Sequence, residues 1–208
     1  FGMKLHFVSR EVYRELTGSD NNNYLRQLFG TFFLVPEGGA NTLAVKGCSE
    51  ILTSWEKEHF DIFCCACGTG GTIAGIICSL HGSSKVVGFP VMKGGEYLKN
   101  IIESLIFQYL QNKYVKWTLN TEYHFGGYAK WNMELIRFIN DFLHDHGIQL
   151  DPIYTGKMFF GLFDMASRNK WPERCRILAI HTGGLQGIRG FNQRFNNLLA
   201  TQSDNLLY

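Results

Sequence analysis

Residues 67–75 (CGTGGTIAG) constrain the fold more than any other stretch of the sequence. They follow an apolar run at 60–66 that predicts a buried strand, and their second half predicts the start of a helix. A glycine-rich turn between a strand and a helix leaves backbone N–H groups free at the positive end of the helix dipole. Glycines let an anion approach the backbone closely, and threonine hydroxyls add donors. We therefore predict that this turn binds a phosphate-bearing ligand.

Two common phosphate-binding motifs do not match this turn. A P-loop requires Lys and then Ser or Thr after its last glycine, and no Lys follows these glycines. A dinucleotide-binding turn requires Gly-x-Gly-x-x-Gly and an acid about 20 residues later. Counted from Gly68, the third glycine position is Ile73, and the strand predicted at 85–90 ends without an acid. A nicotinamide-dependent oxidoreductase is therefore disfavoured, and a tight turn that binds nothing is the simplest alternative.

Strand and helix patterns alternate along the 208 residues. The predicted strands cover 4–8, 31–35, 61–67, 85–90, 115–119 and 176–180. The predicted helices cover 10–16, 42–57, 72–81, 96–112, 130–146 and 157–168. This alternation predicts an α/β fold with an open, mostly parallel twisted sheet flanked by helices. Glycine turns at 38–39, 68–71 and 183–184 follow predicted strands, so we expect them to line one ligand-binding edge of the sheet.

Charge and composition narrow the classes of partner. The formal net charge is +2 and no basic stripe is visible, so we expect no nucleic-acid partner. No apolar run approaches the ~20 residues that a membrane span needs, so we expect no membrane association. Cys64, Cys65 and Cys67 cluster, but adjacent strand residues point to opposite faces, which favours buried thiols over a metal site. Free thiols are typical of a reducing, cytoplasmic setting.

Four motifs taken together resemble a family of pyridoxal 5′-phosphate (PLP) enzymes that includes D-cysteine desulfhydrase and 1-aminocyclopropane-1-carboxylate (ACC) deaminase. The motifs are residues 36–41 (PEGGAN), 67–75, 150–157 (LDPIYTGK) and 177–184 (ILAIHTGG). They occur in order over nearly the whole chain. The resemblance implies fold type II, in the tryptophan synthase β-like group. Residues 1–35 would then end the small domain and its crossover, and residues 36–208 would form an incomplete PLP-binding large domain.

The resemblance also implies roles for individual residues. The PLP phosphate would be held by the residues of the turn, namely Gly68, Thr69, Gly70, Gly71 and Thr72. Thr182 would lie at the pyridine nitrogen. Tyr128 and Tyr154 would flank the substrate and the cofactor ring as catalytic residues. Without the motifs, each tyrosine would be interpreted as an amphipathic core residue with a satisfied hydroxyl.

One position bears on the substrate. ACC deaminases similar to this stretch carry Tyr-Glu-Gly-Lys, in which the acid can keep the pyridine nitrogen protonated, whereas this chain has Thr155 there. A neutral hydroxyl favours β-elimination of a thiol over opening of a cyclopropane ring. We therefore expect a D-cysteine desulfhydrase-like lyase that yields pyruvate, ammonia and sulfide from a small amino acid. With the resemblance we also expect a homodimer. ACC deaminase and a non-catalytic phosphate-ligand-binding fragment remain alternatives.

The Schiff-base lysine of this family lies in an amino-terminal segment that has no counterpart in these 208 residues. Lys157 falls where the family has a structural lysine, and Lys46 and Lys93 have no supporting context. We therefore expect the chain to correspond to the carboxyl-terminal two thirds of a longer enzyme and to be inactive alone.

Overall fold

The structure is a computed structural model that describes residues 2–17, 22–80, 84–110 and 116–201. It divides into two compact units, residues Phe1–Gly39 and Ala40–Tyr208. Among the described residues, no helix is both long enough and apolar enough to cross a membrane.

The first unit is helical where it has regular structure. It contains α1 (Arg10–Thr17), which was predicted, and α2 (Asn22–Phe29), which was not because the sequence there is rich in asparagine. The strands predicted at 4–8 and 31–35 are wrong, since neither segment pairs with another strand. The side chain of Phe7 is 89% exposed and that of Phe33 is 72% exposed. Alternating apolar residues make a strand only when a partner strand and a core are present.

The second unit is built on a four-stranded parallel sheet. Its strands are β1 (Ile62–Cys67), β2 (Lys85–Pro90), β3 (Lys116–Leu119) and β4 (Ile177–Ile180), in the order β3-β2-β1-β4. All neighbouring pairs are parallel, with Cys65 opposite both Gly88 and Ile180. Every residue of β1 is buried, as expected for a central strand covered on both faces. The predicted α/β class with a parallel sheet flanked by helices is confirmed.

Seven helices surround this sheet within the described residues. They are α3 (Thr42–Ser49), α4 (Ser54–His59), α5 (Gly71–Ser79), α6 (Leu98–Leu110), α7 (Met133–His146), α8 (Thr155–Ser167) and α9 (Gln186–Arg194). The single helix predicted at 42–57 is wrong, because the chain breaks and restarts with a capping box between Thr53 and Glu56. The end predicted at residue 146 for the helix at 130–146 is confirmed, and Gly147, which follows it, has φ +67°. Helix α9 was not predicted, because its two glycines conceal the helical pattern.

The two faces of the sheet pack against different helices. Phe63 and Cys65 belong to a core shared with α3, α5 and α6, whereas Ile62 and Cys64 belong to a core shared with α8. Helices α3 and α5 pack so closely that a Cβ on Gly75 would lie 2.3 Å from Cys48 Cβ. The buried cysteines are therefore packing residues. Burial raises the pKa of Cys64 to about 12, which keeps its thiol protonated and unreactive at neutral pH.

Candidate cofactor and active site

The turn between β1 and α5, residues 68–72, is shaped by glycine and is called the glycine turn below. Gly70 precedes α5 in a left-handed conformation with φ +89°. A Cβ on Gly70 would lie 2.8 Å from Cγ1 of Ile102 on α6. Both the backbone conformation and the lack of space therefore require glycine at position 70.

The amides of the glycine turn have no acceptor within the described residues. None of the hydrogen bonds in this part of the chain has a backbone N–H of residues 68–73 as its donor, and the hydroxyls of Thr69 and Thr72 are likewise unbonded. The first amide of α5 to be bonded is Ala74 N, which donates to Gly70 O at 3.1 Å. These free donors stand at the amino terminus of a buried nine-residue helix. The arrangement fits an anion held by backbone amides.

Tyr154 lies directly against the glycine turn. A Cβ on Gly68 would be 3.2 Å from Cε1 of Tyr154 and 3.6 Å from its hydroxyl oxygen. The Tyr154 hydroxyl donates to the hydroxyl of Tyr128 over 3.4 Å, and the two rings meet edge to face with centroids 6.0 Å apart. Tyr128 is 54% exposed. The structure thus brings the two predicted tyrosines together beside the predicted phosphate site.

Tyr154 is held by Asp151, a residue that sequence reasoning missed. The Asp151 carboxylate accepts the backbone amides of Ile153, Tyr154 and Thr155, each at 2.8 Å, and is 2% exposed. Only the Thr155 amide belongs to α8, and the other two lie in the turn directly before it, so the carboxylate holds the turn that leads into the helix, an arrangement called the cap of α8 below. The sequence signal that could have identified Asp151 is its position four residues before the first residue of a helix.

Thr155 has a different role from the one expected. Its side chain is fully buried, its hydroxyl donates to the Asp151 carboxylate at 2.8 Å, and the same oxygen accepts the Asp151 amide at 3.0 Å. A hydroxyl bonded in this way belongs to the cap of α8. The expectation of a free neutral hydroxyl at a pyridine nitrogen therefore has no support from the position of Thr155.

Thr182 lies just beyond the carboxyl end of β4, next to β1. Because Cys65 pairs with Ile180, Thr182 is level with Cys67 and so with the start of the glycine turn. Thr182 is exposed, and its side chain makes no hydrogen bond within the described residues. Its turn packs on the start of α8, since a Cβ on Gly184 would lie 3.0 Å from the Asp151 carboxylate. This location agrees with the predicted edge of the sheet.

The turn at 38–39 differs from the other two glycine turns. It follows no strand, because the segment at 31–35 is not one, so its predicted place at a strand end is wrong. Only the end of the motif belongs to the second unit. There Asn41 caps α3 by accepting the Ala44 amide at 2.9 Å, and a Cβ on Gly71 would lie 3.5 Å from Ala40 Cα. Asn41 is thus explained by helix capping.

Lys157 is the most deeply buried charged group of this region. It lies on α8 one helical turn after Tyr154, and 1% of its surface is exposed. Its ammonium group donates to the carbonyls of Gly127 at 2.8 Å, His124 at 3.0 Å and Val91 at 3.4 Å. Burial lowers the pKa of Lys157 to about 8, and the Asp151 carboxylate opposes that shift. Sequence analysis gave this lysine no role at the site.

Comparisons with known proteins identify the family of this chain. The chain is 34% identical over 177 residues to a Pyrococcus horikoshii protein provisionally named 1-aminocyclopropane-1-carboxylate deaminase, covering 80% of this chain and 54% of that protein. It is 30% identical over 205 residues to the Arabidopsis thaliana bifunctional D-cysteine desulfhydrase/1-aminocyclopropane-1-carboxylate deaminase, mitochondrial, covering 90% and 51%. The chain belongs to the D-cysteine desulfhydrase and ACC deaminase family.

A solved structure of this family shares the fold. The crystal structure of an ACC deaminase homologue superposes with a TM-score of 0.74 at 30% identity, covering 94% of this chain and 62% of that one. The chain spans about half the length of the two relatives named above. No protein-family model matches the chain.

Proposed function

We propose that this chain supplies the PLP-binding site of a lyase or deaminase that acts on a small amino acid. The observation that carries the proposal is the set of free amides at 68–73, with Tyr154 against Gly68 and Tyr128 against Tyr154. The family relationship supports the same conclusion.

The residues present fit the phosphate end of PLP. A phosphate dianion has several acceptor oxygens, and the glycine turn offers backbone and hydroxyl donors at the positive end of a helix. We propose that the phosphate is held by the five residues of this turn, Gly68, Thr69, Gly70, Gly71 and Thr72. Thr182, at the neighbouring strand end, is proposed to donate to the pyridine nitrogen.

PLP, when bound, supplies an electron sink that makes the Cα proton of an amino acid acidic. The contribution of this chain is then to orient the substrate and to move protons. Tyr154 is fixed between the cap of α8 and the glycine turn, which suits a group that orients ligand. Tyr128 is half exposed and within 3.4 Å of the Tyr154 hydroxyl, so a proton on Tyr154 has a path to solvent through Tyr128.

The finer proposal is β-elimination from D-cysteine to give pyruvate, ammonia and sulfide. It is supported by the relatives that carry the name D-cysteine desulfhydrase. ACC deaminase is the second candidate, and it is supported equally by name. Thr155 does not discriminate between them, because its hydroxyl is bonded to Asp151.

A single assay series separates these activities. The purified protein is incubated with PLP and D-cysteine, L-cysteine or ACC, and sulfide, pyruvate and 2-oxobutyrate are quantified. Sulfide and pyruvate from D-cysteine support the finer proposal, and 2-oxobutyrate from ACC supports the second candidate. PLP binding is measured separately by absorbance and by equilibrium dialysis. Binding without any product agrees both with the phosphate-ligand-binding alternative and with the expectation that these 208 residues are inactive alone, and absence of binding contradicts the proposal itself.

We also propose that residues 36–208 form the cofactor-binding domain, that residues 1–35 end a smaller one, and that the protein is a cytoplasmic homodimer. Light scattering coupled to size exclusion tests the oligomeric state, and a monomeric mass at micromolar concentration would contradict it.

A further inference from the structure

We propose that Lys157 is a positioning residue of this site, which holds the loop that carries Tyr128 and thereby sets the Tyr128 hydroxyl against Tyr154. The inference deepens the proposed function, because it concerns the same tyrosine pair. It rests on contacts of the chain with itself.

All three N–H donors of the Lys157 ammonium are hydrogen-bonded to one loop and one strand end. The ammonium has three N–H donors, and three backbone carbonyls accept from it. Two of the carbonyls, those of His124 and Gly127, belong to residues 124–129, called the tyrosine loop below. No carboxylate forms an ion pair with this ammonium within the described residues. The three hydrogen bonds of this ammonium are therefore all to backbone carbonyls.

The tyrosine loop requires an external tie because its own conformation is unfavourable. Phe125 and Ala129 have φ of +52° and +54°, and the two glycines between them also have positive φ. Side chains other than glycine adopt this region at a cost, so the surroundings must hold the loop in place. Bonds within the loop, such as Gly126 N to His124 Nδ1 at 2.8 Å, shape it but do not attach it to the sheet.

Two side chains of α8, those of Phe160 and Lys157, attach the loop to this helix. Phe125 packs edge to face on Phe160, with ring centroids 5.0 Å apart, which fixes the apolar side of the loop. Lys157 fixes the other side at Gly127, the residue directly before Tyr128. Because Lys157 lies one helical turn after Tyr154, the residue directly before α8, the bond to Gly127 constrains the distance between the two tyrosines. Removal of the ammonium frees the residue on which Tyr128 depends.

The third carbonyl connects Lys157 to the phosphate side of the site. Val91 follows β2, and its amide donates to Cys67 O at 3.1 Å, directly before the glycine turn. Val91 O is one of the three acceptors of Lys157. One buried charge therefore joins the tyrosine loop, the start of α8 and the strand end that precedes the glycine turn.

The test compares Lys157→Met with Lys130→Met, an exposed lysine two residues after Tyr128. Amide hydrogen exchange is followed by mass spectrometry in the purified protein, without substrate. We expect exchange in residues 124–129 to accelerate roughly tenfold in Lys157→Met, because one attachment is lost, and exchange in β1 and α5 to stay unchanged. Lys130→Met should match the wild type. Uniform acceleration of loop and sheet, or no change in the loop, would overturn the proposal.

A second variant keeps the proposal testable if Lys157→Met does not fold. Lys157→Gln retains donors on a shorter side chain, and we expect its loop exchange to lie between wild type and Met. If product formation is established, kcat should fall in Lys157→Met by about the factor seen in Tyr128→Phe, with the double variant no worse than either. Additive losses of kcat would show that Lys157 does not act through Tyr128. The exchange readout needs neither PLP nor turnover, so its failure is separate from failure of the proposed function.

Discussion

The glycine turn and the tyrosine loop both follow strands of the same sheet, yet different parts of the chain fix them. The glycine turn is set by its immediate neighbours, because β1 precedes it, α5 follows it and Gly70 supplies the left-handed residue between them. The tyrosine loop places non-glycine residues at positive φ and is held by Lys157, 30 residues beyond Gly127. The conformation of the glycine turn is thus set locally, whereas the loop that carries Tyr128 is bonded to a distant side chain.

The largest expected effect tests the local character of the glycine turn. Gly70→Ala should lower the free energy of unfolding by about 2–4 kcal/mol, from positive φ together with the overlap with Ile102. Gly94→Ala is the matched control, because Gly94 has φ +71° but open space around its Cα. The control should lose only about 1 kcal/mol. Urea denaturation of both variants measures the difference, and equal losses would show that space at Gly70 is unimportant.

The second effect concerns the cap that holds Tyr154 between the two regions. Asp151→Asn should lower the free energy of unfolding by about 2 kcal/mol, because a buried carboxylate that accepts four donors is replaced by a group with one accepting oxygen. Asp145→Asn is the control, since Asp145 is 62% exposed and pairs only with His144. Its effect should be below about 0.5 kcal/mol in chemical denaturation. A similar loss in both variants would contradict this account of the cap.

The third effect uses pH to detect the buried charge that holds the tyrosine loop. Lys157 releases its proton at about pH 8 when folded and near its ordinary value of 10.5 when unfolded, so unfolding takes up a proton between these values. The contribution of Lys157 to the free energy of unfolding should therefore rise by up to about 1.4 kcal/mol per pH unit between pH 8 and its ordinary value of 10.5. Lys157→Met should abolish this rise and Lys130→Met should keep it, as measured by urea denaturation at each pH.

The buried thiols act in the opposite direction. Burial raises the pKa of Cys78 to about 11 and that of Cys64 to about 12, so these thiols ionise first in the unfolded chain and stability falls. The difference in free energy of unfolding between the wild type and Lys157→Met isolates the lysine, and it should shift in favour of the wild type as the pH rises above 8. A difference that stays constant with pH would show that Lys157 keeps its proton in the folded protein.

The smallest expected effect concerns backbone strain in the tyrosine loop, which the glycine turn avoids by using glycine. Ala129 is exposed at φ +54°, so Ala129→Gly should raise the free energy of unfolding by about 1 kcal/mol. The control is Ala166→Gly, an exposed position on α8 where glycine should cost about 1 kcal/mol. Thermal unfolding of the two variants should shift in opposite directions. A loss in both would mean that the loop conformation at Ala129 is not strained.

Local patterns in the sequence predicted the elements that lie in the core. The apolar run of β1, the glycine turn and α5 were recognisable because strand, turn and helix signals follow one another within 20 residues. β2 was predicted with its observed bounds, and both predicted tyrosines lie together at one site. The segments at 4–8 and 31–35 were predicted wrongly, because an alternating pattern does not reveal whether a partner strand exists.

What the sequence determined by itself is the parallel α/β fold and the strand–turn–helix geometry of the glycine turn, because both depend on neighbours along the chain. What only the tertiary structure decided is the use of Lys157, Asp151 and Thr155. The acceptors of Lys157 are backbone carbonyls 30, 33 and 66 residues away, and every residue carries such a carbonyl. The residue types at these positions do not distinguish these three carbonyls from others. They can be recognised as the acceptors of Lys157 only when the strands, the tyrosine loop and α8 are packed together.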